Sequence, residues 1–211
     1  MNTTNPIHDL KEIRKMMETS SKFLSLSGLS GISAGIIALI GSTYAWFLLG
    51  IFNSKALYYV ALGTFEKNVL VLEYKLIILA ILILILAISF GFLFTYLSAK
   101  KKQHNLFTPT SFKLAWSLGL PLVFGGIFTI LLFLKGFYVI IGASTLMFYG
   151  LSLLNASKYV HPEIKYLAIC QMSLSLFSIM FIEYSLYFWA FGFGVLHIIY
   201  GSIMYYKYDR K

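Results

Sequence analysis

Residues 76–99 run LIILAILILILAISFGFLFTYLSA without one charged side chain. A lipid bilayer needs about 20 apolar residues per spanning helix. Inside lipid a single segment satisfies its own backbone hydrogen bonds only as a helix. Similar apolar runs recur at about 23–49, 71–97, 112–134, 137–155, 163–183 and 185–206. The pattern predicts six spans. With only 12% charged residues and a mean hydropathy of +0.80, an ordinary soluble domain is excluded. Six spans consume most of the 211 residues and leave no room for a separate soluble domain. The fold class expected is therefore an all-α polytopic membrane protein. It is a six-helix transmembrane bundle preceded by a cytoplasmic-side amphipathic N-terminal helix.

That preceding helix is read from residues 6–22, where Ile7, Leu10, Ile13 and Met17 recur at helical spacing and Arg14 and Glu18 form an i,i+4 pair. It suits an interfacial helix lying on the membrane, or one that docks on a partner. A cleavable signal is not expected, because the first apolar run, about 25 residues, exceeds a signal-peptide core of roughly 7–15. Residues 207–211 form a short basic tail.

The net charge of +9 raises the question of nucleic acid. The basic residues instead sit at the ends of the apolar runs, where they set orientation. With the N-terminus inside, the inner segments hold Lys11, Arg14, Lys15, Lys22, Lys100, Lys101, Lys102, Lys113, Lys158, Lys165, Lys207, Arg210 and Lys211. The outer segments hold only Lys55, Lys67, Lys75 and Lys135. This predicts that both termini are cytoplasmic, in a membrane of the bacterial inner type. Nucleic acid is not an expected partner; the bilayer is, together with either a second copy of the chain or another membrane protein.

The first span is unusual in its small residues. Ser27, Ser30, Gly31, Ala34, Gly35, Ala38 and Ser42 fall on one side, and Gly31 and Gly35 form a GxxxG pair. In water glycine would weaken a helix by roughly 1 kcal/mol against alanine. In lipid such a face lets two backbones approach closely. Its partner is either another span of this chain, the favoured reading, or the same span of a second copy. Residues 19–36 also align with 110–127, sharing Thr19/Thr110, Lys22/Lys113, Gly28/Gly119 and Gly35/Gly126 among others, which suggests a parallel internal repeat.

Ionisable groups deep in a membrane are functional candidates. Glu73, Lys75 and Glu183 lie close enough to span ends to reach the interface. His197 does not, for it falls near the middle of the sixth span, on one face with Gly194 and Gly201. Gln171, Ser175 and Ser178 form a polar stripe on the fifth. Gln171, His197 and Pro121 of the third span all lie roughly 20 Å from the outer surface at 1.5 Å per residue. Pro121 also removes the hydrogen bond to the Ser117 carbonyl. His197, Gln171, Ser175 and Pro121 are thus the candidates for a midplane polar site. The plainer alternative is a neutral histidine that bonds Gln171 and ties two helices together.

Gly28-Leu29-Ser30-Gly31 resembles the GxSG of rhomboid-type intramembrane serine proteases, which also have six spans and a histidine in the last. The resemblance stops at these four residues and His197. Ser30 lies roughly 10 Å deeper than His197, beyond the reach of a nucleophile and its base. In that family the serine is also on a later span. No catalysis is expected. The four histidines sit in four different segments, with one cysteine, Cys170, and no carboxylate cluster, so neither a metal site nor a cofactor is expected. Two functions remain: a small permease or channel-like protein for a neutral or amphipathic solute or lipid, and a non-transporting membrane scaffold.

Overall fold

The computed structural model describes residues 27–50, 69–103 and 105–210. Apart from short turns and loops they are helical, with no strand among them. We number the helices α1 (Gly28–Leu48), α2 (Val69–Lys101), α3 (Pro109–Leu134), α4 (Ile141–Ala156), α5 (Glu163–Met180) and α6, which starts at Ser185 and runs to Asp209. Single 3₁₀ turns, Tyr138–Ile140 and Ile182–Tyr184, lead into α4 and α6. The amphipathic segment 6–22, the outer loop with Lys55 and Lys67, and His104 lie outside the described residues.

Five helical stretches are long and apolar enough to cross a membrane: Gly28–Leu48, Tyr74–Lys101, Pro109–Leu134, Tyr138–Ala156 and Ile182–Asp209. The chain is a multi-pass membrane protein. The sequence predicts six crossings, and α5 is the helix that falls short of that standard. Its 18 residues include Glu163, Lys165, Gln171 and three serines. Even so it extends about 27 Å at 1.5 Å per residue, close to the thickness of a hydrocarbon core. Its polar side is turned inward, with Gln171, Ser175 and Ser178 all buried. A helix screened by its neighbours can be more polar than one facing lipid.

Local signals explain the helix ends. Ser27 caps α1, its hydroxyl accepting from the Leu29 N–H at 3.2 Å. Thr108 and Ser111 form a reciprocal capping box at the start of α3, with Pro109 in the first turn. Gly136, at φ +79°, supplies the left-handed residue that lets α3 turn back into α4.

The six helices alternate up and down. At one end the Asp209 carboxylate accepts from the Ser27 hydroxyl (3.0 Å), the Gly28 N–H (2.7 Å) and the Lys102 ammonium (2.8 Å). The end of α6 thus caps the start of α1 and holds the end of α2. Close by, Glu163 at the start of α5 accepts from Lys207 and from the Tyr208 hydroxyl. His161 stacks on Tyr208 at 3.8 Å between centroids. In lateral order the main contacts run α2, α1, α6, then α5 and α4, then α3. The apolar heart of α2 has no buried residue and that of α3 very few, so these flanking helices face the surroundings. The buried apolar cluster is Leu153, Val160, Ile164, Leu167 and Ala168, between α4 and α5.

Glycines set the tightest contacts. A β-carbon on Gly201 would sit 2.5 Å from the Ile32 nitrogen, 2.6 Å from the Gly28 carbonyl oxygen and 2.9 Å from the Gly31 carbonyl carbon. One on Gly35 would sit 2.7 Å from the Gly194 carbonyl oxygen, and one on Gly31 would be 3.0 Å from the Gly201 Cα. Gly35, Ala38 and Ser42 are buried here, while Gly31 and Ala34 are half-buried. The small face of α1 therefore lies backbone to backbone against Gly194 and Gly201 of α6. The suggested repeat has no counterpart in this packing. Gly28 opens α1 against Tyr205 and Gly201, whereas Gly119 is ten residues into α3 and, like Gly126, has nothing within 4 Å of its Cβ position. Residues 19–26 of that alignment lie outside the described residues.

Candidate functional site: a polar seam between α4, α5 and α6

The middle of α6 is not an α-helix. Ala190–Leu196, AFGFGVL, winds as a π-helix and returns to α at His197. Wider winding loosens the hydrogen-bond ladder, and such segments gather at functional sites. Here the Gly192 carbonyl oxygen accepts two side-chain donors, Gln171 Nε2 from α5 at 2.8 Å and His197 Nδ1 at 3.0 Å. Gly192 has to be glycine, because a β-carbon would sit 2.6 Å from both Gln171 Oε1 and Leu146 Cδ2.

This geometry fixes the tautomer of the neutral histidine. A carbonyl only accepts, so Nδ1 carries the proton. In the neutral ring Nε2 is then bare, and it accepts from the Tyr149 hydroxyl of α4 at 2.7 Å. Gln171 Nε2 and His197 Nδ1 are 3.5 Å apart. Both are donors in this tautomer, so they do not bond each other; they share the Gly192 oxygen. Tyr149 and Phe193 flank the imidazole, with ring centroids 5.3 and 5.8 Å away. His197 is buried at 5% exposure, and Gln171 has no exposed surface at all. One group in this cluster is left over: Gln171 Oε1 is a buried acceptor with no partner.

The seam continues toward the end that holds Lys135. The Ser175 hydroxyl donates to the Ala143 carbonyl of α4 at 2.7 Å, and Ser178 donates to Ser185 at 2.9 Å. Gln171, Ser175 and His197 thus lie along one interface. Pro121 does not join them. Its ring leaves the Ser117 carbonyl without a helical donor, and Asn155 Nδ2 of α4 fills that place at 2.7 Å. The Ser117 hydroxyl returns a bond to the Asn155 carbonyl at 3.0 Å, and Ser152 donates to the Leu118 carbonyl beside it. Pro121 belongs to a separate α3–α4 clasp made by Asn155 and Ser152.

Ser30 also stays apart from the seam. Its hydroxyl donates to the Ser27 carbonyl at 2.5 Å, while both ring nitrogens of His197 are engaged elsewhere. Sequence reasoning missed Tyr149, which reads as one of many tyrosines, and Asn155, which sits at the end of an apolar run. The π-helix had a faint signal, the Gly192-Phe193-Gly194 alternation five residues before the histidine. Comparison of the chain with family models, with characterised proteins and with solved structures finds no match.

Proposed function

We propose that this protein is a small permease or channel-like protein that moves a neutral or amphipathic solute, or a lipid, along the seam between α4, α5 and α6. The observation that carries this reading is Gln171 Oε1, a fully buried acceptor without a donor, beside a histidine, a phenol and the Gly192 carbonyl. Leaving such an atom unpaired costs about 1–3 kcal/mol, which a fold has no reason to bear unless something else binds there. Neutral His197 and the absence of a carboxylate in this cluster suit an uncharged cargo. No enzymatic role follows from the reading. We place both termini on the cytoplasmic side of a bacterial-type inner membrane, from the inside excess of lysine and arginine.

The scaffold alternative draws less support. It would assemble with a partner through the N-terminal helix and the small face of α1, and that face is taken by Gly194 and Gly201 of α6. The test uses proteoliposomes loaded with glycerol or urea, and others carrying a fluorescent phosphatidylcholine whose leaflet exchange can be read. Transport predicts faster movement of at least one probe than in empty vesicles, and its loss in folded His197→Ala. Removal of residues 1–18 should leave it intact. If no probe moves, and deleting residues 1–18 releases a co-purifying membrane protein, the scaffold reading stands instead.

A further inference from the structure

Among the described residues, three buried oxygens have no hydrogen-bond partner: Gln171 Oε1, Tyr200 Oη and Glu163 Oε2. They occupy one side of the bundle at successive levels. Glu163, Leu167 and Gln171 follow each other at i, i+4 and i+8 on α5, about 12 Å from first to last. On α6, His197, Tyr200 and Tyr208 stand at i, i+3 and i+11, about 16 Å in all. Tyr200 and Tyr149 both pack against the cluster of Leu153, Ile164 and Leu167. At the basic end Glu163 Oε1 accepts from Tyr208 at 3.0 Å and from Lys207. The seam thus runs from a half-buried carboxylate at the end of the bundle, past an unpaired phenol, to the phenol bonded to His197 Nε2. Buried polar atoms without protein partners are where proteins hold internal water.

We propose that Glu163, Tyr208, Tyr200 and Tyr149 line a single file of water that carries protons between the basic end of the bundle and His197. The transfer balances without other reactants. An excess proton entering from bulk solvent as hydronium is handed along the file to the Tyr149 oxygen as the Tyr149 proton passes to His197 Nε2, leaving neutral water behind and one positive charge on the ring. An imidazolium results, whose Nδ1–H donates to the Gly192 carbonyl and whose Nε2–H donates to the Tyr149 oxygen. The reverse steps restore the neutral ring. The groups facing the imidazole are Tyr149 from α4 and Gln171 from α5, with Glu163 two turns further along α5. Its own helix supplies Tyr200, Lys207 and Tyr208. α1 meets this part of α6 with glycine backbone, and its one titratable residue, Tyr44, is exposed. The route runs inward from one end only, so His197 takes its protons from that side.

The test is the rate of proton exchange at His197 Nε2, read from the ¹⁵Nε2 signal of ¹⁵N-histidine-labelled protein in nanodiscs, with that signal identified by its loss in His197→Gln. Tyr200→Phe keeps the ring and removes only the hydroxyl; it should slow His197 exchange at least tenfold. Glu163→Gln should do the same, and Tyr184→Phe, at the opposite end, should leave the rate unchanged. Tyr200→Phe exchanging at the wild-type rate, with thermal unfolding unaltered, overturns the proposal. Should Tyr200→Phe fail to fold, Glu163→Gln decides in the same way. The experiment contains no transported solute, so its outcome is independent of the permease reading.

Discussion

At the residue scale this protein resolves each backbone irregularity with a specific side chain. Pro121 orphans the Ser117 carbonyl, and Asn155 supplies the missing donor from the next helix. Within the π-segment the Gly192 carbonyl accepts from both Gln171 and His197. In the first pair the proline was visible in the sequence, because it always removes a donor, but Asn155 was not. In the second, His197 and Gln171 were visible as polar groups in spans, but the π-segment and the Gly192 carbonyl they share were not. Which groups meet depends on helix rotation and winding, which hydropathy does not encode. Asn155→Leu, close in size, should therefore destabilise the protein by about 1–2 kcal/mol in detergent thermal unfolding. In a Pro121→Ala background the restored N–H can reach the Ser117 carbonyl, so the same substitution should cost clearly less. Equal costs in both backgrounds would mean that Asn155 is not compensating for the proline.

At the element scale the useful distinction lies between glycines that face backbone and glycines that face open space. Both kinds occur in apolar spans and look alike in a sequence. The face carrying Gly31 and Gly35 was legible from its i, i+4 spacing, and so were Gly194 and Gly201; His197, expected on the same face as those two, turns its ring to Tyr149 and Gln171 instead. That the two faces meet was not, since either had several possible neighbours. Equally illegible was that Gly119 and Gly126, aligned with α1 by identity, pack against nothing. Gly201→Ala drives a methyl into the backbone of Gly28, Gly31 and Ile32, none of which is a flexible side-chain end. It should cost about 1–3 kcal/mol as overpacking, whereas Gly119→Ala should be close to neutral. Thermal melts of the two variants side by side check this, and similar melting temperatures would refute the α1–α6 contact.

At the scale of the whole molecule, composition and periodicity made the bundle legible: apolar runs near 20 residues leave a chain few alternatives to spanning helices. They also overstated the uniformity of those helices. α5 carries more polar residues than its neighbours because they screen it, and it alone brings Gln171 and Ser175 to the seam. The Asp209 clasp, which joins the two ends of the described chain through Ser27 and Lys102, hid in what reads as a basic tail. Everything proposed for the seam requires α5 to cross the membrane within the bundle. Single cysteines at four exposed positions test this most directly, using a thiol reagent that cannot cross the bilayer in a background where Cys170 is replaced by serine. The account predicts that cysteines at Lys135 and Tyr184 react in intact cells, and that those at Lys101 and Lys158 react only after permeabilisation. Labelling of Lys158 and Tyr184 from the same side would contradict it, because α5 would then not cross and Gln171 would not lie at the midplane.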